Sequence, residues 1–173
     1  MTLSELVERY AQFEKRAVGF YRGLAERFAA LPGAARLWRE MSNTEASHFA
    51  LLELAEDWIA MAKGVGGMPP VTAADLDALE TRLGELERAA SAAGLTPEAA
   101  VGLSIEWEEL ELPRIVELVR HLPPQAQGRV MAGMLAEAPE HYRMLMELVR
   151  EAGSPGQGGR VSALEQSARE AIG

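Results

Sequence analysis

Apolar residues recur along this chain in alternating steps of three and four positions, which is the spacing of one face of an α-helix. The first face comprises Leu3, Val7, Tyr10, Ala17, Tyr21, Leu24, Phe28 and Leu31, and the second comprises Trp38, Met41, Leu52, Ala55 and Ile59. Two later faces comprise Val101, Ile105, Leu112, Ile115, Val119 and Leu122, and then Met131, Met134, Ala138, Leu145 and Leu148. The pattern predicts four long helices and no strand.

Capping residues and Gly/Pro clusters predict where the helices begin and end. Thr2 with Glu5 starts the first helix, which Leu31–Gly33 closes, and the second runs from about residue 34 to 63. Thr72 with Asp75 starts a helix over 73–93 with a narrow apolar face, and Thr96-Pro97 starts one that reaches His121. The next helix covers about 125–152. A flexible linker over 153–160 and a short C-terminal helix in 161–173 follow.

The lengths of the connections predict the architecture. Tight loops join the first two helices and the last two, which predicts two antiparallel hairpins. The longer segment 64–95, with its own helix, is then a crossover between the hairpins. We therefore expect an all-α four-helix bundle over residues 1–152.

Acidic and histidine side chains interrupt the apolar faces near their middles. Glu14 lies in the first face, Glu45 and His48 in the second, Glu108 in the third and His141 in the last. Glu111 lies one turn beyond Glu108. A carboxylate buried alone is costly, and several facing one another cost more unless a positive charge lies between them. Glu45 and His48 are three residues apart, so both side chains can coordinate one ion from the same helix face. Carboxylate and imidazole donors suit Fe(II), Mn(II) or Zn(II).

Composition narrows the function further. The chain has 173 residues, 48% apolar, and no cysteine, which excludes disulfides, thiolate zinc sites and rubredoxin-type iron centres. Absence of cysteine also suits a reducing cytoplasm, where we expect the protein. The N-terminus is amphipathic rather than a signal peptide, and no apolar run is long enough to span a membrane. The net charge of −9 argues against nucleic acid as a partner.

Four segments resemble the helix motifs of rubrerythrin-like proteins of the ferritin-like superfamily. They are Phe13–Tyr21, Glu45–His48, Ile105–Glu111 and Glu137–His141. The resemblance spans about residues 3–152 and implies a ferritin-like bundle with two irons that react with peroxide or dioxygen, or that oxidise Fe(II). It implies Glu14, Glu45, His48, Glu108 and His141 as metal ligands, with Glu111 as a mobile or extra ligand. It also makes a homodimer plausible. Without the cysteines of a rubredoxin domain, any electron donor must be external.

The fourth motif departs from the family pattern. Ala138 stands three residues before His141, where the family carries Glu, and Pro139 lies within the predicted helix. A proline there tends to kink the helix or to accompany a local bulge. Such a bulge would turn Glu137 inward, which makes Glu137 the predicted replacement ligand. The alternative is a degenerate half-site that holds one metal or none.

Several alternatives stay open from the sequence. A different helix phase would bury Glu106 and Glu109 instead of Glu108 and Glu111. Tyr21 and Tyr142 either hydrogen-bond to ligand carboxylates or simply pack in the core, and packing is the favoured interpretation. For the whole chain, the alternatives to a di-iron oxidoreductase are a metal-free helical scaffold or interaction module, and an oxygenase with a tunnel for an organic substrate.

Overall fold

The computed structural model describes residues 1–61 and 70–172, with every side chain in them except those at 131, 135, 136, 168, 171 and 172. The described residues contain no strand, and they confirm the predicted all-α class. The helices are α1 (Leu3–Arg27), α2 (Pro32–Met61), α3 (Ala73–Ser91), α4 (Pro97–His121), α5 (Pro124–Val130), α6 (Ala136–Glu151) and α7 (Gly158–Ile172). A π-helical segment, Met131–Leu135, joins α5 to α6, and a 3-10 turn, Pro155–Gln157, precedes α7.

Local capping explains most of the helix starts. Thr2 and Glu5 form the predicted capping box, in which the Thr2 amide donates to Glu5 Oε2 at 2.6 Å. Thr72 and Asp75 form a second box, and Thr96 caps α4 with Pro97 in its first turn.

Some predicted bounds differ from the observed ones. The second helix begins at Pro32 rather than at 34, since proline is well suited to the first turn of a helix. The last helix begins at Gly158, inside the predicted linker 153–160, because the 3-10 turn runs directly into it. Leu31 is exposed because α1 ends four residues earlier, at Arg27. The predicted end of the second helix at 63 and the segment 64–69 lie outside the described residues.

Helices α1 and α2 form an antiparallel pair. Near the turn the rings of Phe28 and Trp38 lie 5.3 Å apart, and farther along Ser42 Oγ donates to the carbonyl of Val18 at 3.0 Å. Farther still from the turn, Glu14 on α1 meets His48 on α2, at 3.7 Å between Oε2 and Nδ1.

Helix α3 lies along α1 in the same direction. Three α1 arginines reach α3 in sequence: Arg9 pairs with Asp77 and Glu80, Arg16 with Glu87, and Arg27 donates to the carbonyls of Ala90 and Ala92. Beneath these contacts the narrow apolar face predicted for this helix is buried, and it consists of Leu76, Leu79, Leu83 and Leu86. The outer helix is thus held by apolar contacts inside and by ion pairs at its rim.

Helices α6 and α7 pack against α2 and α4. Arg36 on α2 pairs with Glu147 on α6 at 3.0 Å, and α7 packs on α4 and α6 by burying Val161 and Leu164. Arg160 at the start of α7 pairs with Glu109 on α4 at 2.6 Å. Within the described residues, no helix combines the length and apolarity needed to cross a bilayer.

Candidate metal centre

Six of the seven predicted site residues lie buried in one place, contributed by four different helices. They are Glu14 on α1, Glu45 and His48 on α2, Glu108 and Glu111 on α4, and His141 on α6, each at most 7% exposed. The helix phase deduced from the apolar face of α4 is therefore the observed one. Of the alternative pair, Glu106 binds Arg82 and Glu109 binds Arg160, both near the surface.

The first cluster consists of Glu14, Glu45 and His48. His48 Nδ1 lies 3.0 Å from Glu45 Oε2 and 3.7 Å from Glu14 Oε2. One donor atom from each residue falls within 4.8 Å of the other two. This spacing suits a single ion, since metal–oxygen and metal–nitrogen bonds of about 2.0–2.2 Å place two ligands at most ~4.4 Å apart.

The second cluster consists of Glu45, Glu108 and His141. His141 Nε2 lies 3.2 Å from Glu45 Oε1 and 3.3 Å from Glu108 Oε1. Glu45 therefore belongs to both clusters: its Oε2 faces His48 and its Oε1 faces His141. A carboxylate so placed can bridge two cations.

Glu111 lies beside these clusters but in neither. Its Oε2 accepts a hydrogen bond from Trp107 Nε1 at 2.9 Å, one turn earlier on α4, and its Oε1 has no partner. Both side chains are buried, and Glu111 lines the same internal cavity as the clustered residues. Trp107 was not among the predicted site residues, although its spacing of four from Glu111 could have suggested the contact.

The seventh predicted residue, Glu137, is not in the buried set. The expected bulge is present as the π segment Met131–Leu135, but it does not turn Glu137 inward. Ala138 faces the cavity instead, while the Glu137 side chain is 51% exposed, with Oε2 3.8 Å from His48 Nε2. Pro139 stays within α6, which continues to Glu151.

Unpaired polar atoms mark the interior of the site. The buried atoms without a hydrogen-bond partner include Glu14 Oε2, Glu45 Oε1, Glu111 Oε1, His48 Nε2 and His141 Nε2. Buried polar groups in proteins are nearly always paired, so this concentration at one point calls for a ligand. Carboxylate oxygens and imidazole nitrogens are the donors that Fe(II), Mn(II) and Zn(II) accept, and the residues present therefore fit a divalent metal.

Burial and mutual repulsion perturb the acids and bases of the site. Burial, together with the neighbouring Glu45, raises the pKa of Glu14 well above its ordinary value. Burial and the charges of Glu14 and Glu45 do the same to the pKa of Glu111. Such shifts identify carboxylates that lack a positive partner, which a metal ion would supply.

The two histidines and the carboxylates beside them stabilise each other's charged forms. Burial alone would raise the pKa of Glu45, but His141 and His48 outweigh it and lower that pKa to about 2. Burial alone would lower the pKa of His141, but Glu108 and Glu45 raise it to about 9. The pKa of His48 is also raised, because Glu45 outweighs the effect of burial. Without metal, the histidines therefore act as partial counter-charges to the carboxylates.

A tyrosine holds one carboxylate in place. Tyr21 on α1 is fully buried, and its hydroxyl donates to Glu108 Oε1 at 2.5 Å. The sequence favoured simple packing for this residue, and the structure shows the hydrogen bond instead. Tyr142 lines the cavity, but its hydroxyl has no partner.

Comparison of the chain with protein-family models, with curated proteins and with solved structures finds no match.

Proposed function

We propose that this chain is a ferritin-like, rubrerythrin-type carboxylate protein that binds two divalent metal ions, iron foremost, in the core formed by α1, α2, α4 and α6. The observation that carries the proposal is the shared carboxylate of Glu45, whose two oxygens face two histidines in two three-residue clusters. Glu14, Glu45 and His48 would hold one ion, and Glu45, Glu108 and His141 the other.

Charge supports two ions rather than one. Glu14, Glu45, Glu108 and Glu111 together carry four negative charges when ionised, which two divalent cations neutralise. Ion binding would also relieve the repulsion that raises the pKa of Glu14 and of Glu111. Glu111, with one free oxygen and its other oxygen held by Trp107, is placed to complete the ligand set of either ion.

The size of the cavity limits which ligands can enter the site. Its volume is about 40 Å³, and its walls include Leu112, Ile115 and Met134 besides the donors. A water molecule needs roughly 10–15 Å³ on the same measure, so the space admits ligands of a few atoms. Peroxide and dioxygen are within this limit.

The iron would supply the electrons for reducing peroxide, or would itself be oxidised from Fe(II). The protein's part is to hold the carboxylates in place and to exclude bulk water. Tyr21 fixes Glu108 and Trp107 fixes Glu111, so two acids on the same helix are oriented by hydrogen bonds from outside the clusters. Return of electrons would require an external donor, because the chain has no cysteine for an iron–thiolate centre.

The test is anaerobic titration of metal-free protein with Fe(II), with bound metal counted per chain. We expect two ions for the unmodified protein, one for Glu14→Ala or His141→Ala, and none held tightly by Glu45→Ala, because only Glu45 serves both clusters. Glu140→Ala is the matched control: Glu140 is an exposed acid paired with Arg143, and its removal should leave two ions. Two tightly held ions in Glu45→Ala would contradict the shared-ligand assignment.

A metal-free scaffold is the second candidate, favoured by one observation: Ala138 occupies the wall position where a carboxylate would complete the half-site near His141. A scaffold predicts no bound metal and the same melting temperature with and without Fe(II). The proposed centre predicts a rise in melting temperature with Fe(II), since a ligand that binds only the folded state stabilises it. Mixing the Fe(II)-loaded protein with peroxide or with dioxygen would then show which oxidant reacts faster.

A further inference from the structure

A groove on the surface between α2 and α6 contains one acid, Glu137, that lies close to His48 of the candidate metal centre. It has a volume of about 350 Å³ and is lined by Asn43, Thr44, Ser47, Glu137, Glu140 and Met144. Five of these six side chains carry oxygen atoms, the donor type that hard divalent cations prefer. The groove is thus chemically suited to cations rather than to an apolar ligand.

Glu137 lies where the groove meets the buried site. Its side chain is half-exposed, and its Oε2 lies 3.8 Å from Nε2 of His48, a side chain that is only 9% exposed. His48 Nε2 has no hydrogen-bond partner, whereas Nδ1 on the other side of the ring faces Glu45 and Glu14. One imidazole therefore has a buried, unpaired nitrogen next to Glu137 and a second nitrogen inside the first cluster.

The two acids of the groove differ in their partners. Both carboxylate oxygens of Glu140 accept from Arg143, at 2.6 and 2.8 Å. Among the described residues, the only charged partner of Glu137 within 4 Å is His48. Glu137 is therefore the acid in this groove whose charge is available to an arriving cation.

We propose that Glu137 and His48 Nε2 form an outer cation site, where a divalent metal ion from solvent is first held before it enters the buried clusters. The separation of 3.8 Å suits an ion about 2.1 Å from each donor atom. Water would fill the remaining positions of this ion. Rotation of the His48 ring would then carry the ion from Glu137 toward Glu45 and Glu14. This inference rests on the proposed function, and it gives Glu137 a role in loading rather than in the resident ligand set.

The experiment follows metal entry rather than activity. Metal-free protein is mixed with Co(II) under anaerobic conditions, and the visible absorption of the bound ion is recorded by stopped flow alongside the final stoichiometry. We expect Glu137→Gln to slow loading by about tenfold, the effect of ~1.4 kcal/mol lost at the entry step, while two Co(II) ions still bind at equilibrium. Because Glu137 is exposed, the variant should keep the melting temperature of the unmodified protein.

Glu140→Gln is the control, because it removes the same charge from the same groove but from an acid already paired with Arg143. Loading at the unmodified rate in this variant, with slow loading in Glu137→Gln, supports the outer site. Equal slowing in both variants would mean that the loading rate depends on the net charge of the groove and not on Glu137 itself, which would overturn the proposal. Unchanged loading in Glu137→Gln would also overturn it. A lower stoichiometry in Glu137→Gln would overturn it in favour of a resident ligand. Failure of the unmodified protein to bind Co(II) and Fe(II) would instead overturn the proposed function itself.

Discussion

Tyr10 and Tyr21 are both fully buried on α1, yet their hydroxyls have different surroundings. Tyr21 donates to Glu108 at 2.5 Å, whereas the Tyr10 hydroxyl has no hydrogen-bond partner and burial raises its pKa to about 12. A buried hydroxyl is favourable only when it is paired. The two tyrosines therefore form a matched pair for measuring what the contact with Glu108 contributes.

We expect Tyr21→Phe to lower the free energy of unfolding of the metal-free protein by about 1–2 kcal/mol, because it removes the hydroxyl that donates to Glu108. Tyr10→Phe should be neutral or slightly stabilising, since it removes a polar atom that has no partner. Chemical denaturation of the two variants in a chelating buffer measures both values. Equal losses in the two variants would show that the hydrogen bond to Glu108 contributes nothing beyond packing.

Single residues also show how far the sequence could predict the site. The phase of the apolar face on α4 was sufficient to select Glu108 and Glu111, because burial follows helical periodicity. The partner of Tyr21 was not predictable, because it depends on how α1 and α4 align across 87 residues of chain. Glu137 was placed inward by an argument about a bulge, and the structure shows that the bulge leaves Ala138 facing the cavity.

At the scale of the helices, the π segment explains an unusual spacing. Between α5 and α6 the buried side chains Ala126, Val130, Met134 and Ala138 follow one another in steps of four. In a regular α-helix each such step overshoots a full turn by about 40°, so three steps would rotate the apolar face away from the core by ~120°. The wider π turn absorbs this drift. A run of three four-residue steps is therefore the sequence signal that could have located the π segment.

Two glycines of this region allow a test of the packing around the π segment. Gly128→Ala on α5 should stabilise the protein by about 0.5–1 kcal/mol, because its added Cβ meets no other atom and alanine favours the helix. Gly133→Ala should not show this gain, because its Cβ would overlap Leu51 Cδ1 on α2. Thermal unfolding of both variants measures the difference. Equal stabilisation would mean that α2 and the π segment pack less closely than the structure indicates.

The existence and type of the helices were well predicted, because capping boxes and apolar faces are local properties of the chain. Thr2, Thr72 and Thr96 mark three helix starts that the structure reproduces. The packing of α7 on α4 and α6 was left open, since a short helix after a glycine-rich segment has no local signal for where it docks. Its buried Val161 and Leu164 became informative only once the surfaces they cover were known.

For the molecule as a whole, burying these titratable groups makes stability depend on pH. Folding raises the pKa of Glu14 and of Glu111 above 4.5 and that of His141 to about 9. The metal-free folded chain therefore retains protons that the unfolded chain releases. The stability that these groups contribute is full below their unfolded pKa values and is lost as the pH rises through the folded ones. The opposite shift of Glu45, to about 2, acts only below its ordinary value of 4.5.

The melting temperature of the metal-free protein should consequently fall as the pH rises from about 6 to 9. His141→Gln should flatten this dependence, because the glutamine has no proton to lose, whereas Glu106→Gln at the surface should preserve it. Scanning calorimetry in a chelating buffer at several pH values makes the measurement. A melting temperature that is constant or rises over this range would contradict the pKa shifts of the site.

The attachment of α3 to α1 has a consequence for ionic strength. Its rim of arginine contacts is partly exposed to solvent, and dissolved ions screen such charges over about 8–10 Å at physiological salt. The apolar contacts of its four buried leucines involve no charge, so screening does not weaken them. Salt therefore weakens the ion pairs at the outer edge of α3 while leaving its apolar inner face in place. Of the contacts between α1 and α3, the arginine pairs at the rim therefore respond to the surrounding electrolyte, and the packed leucines of the inner face do not.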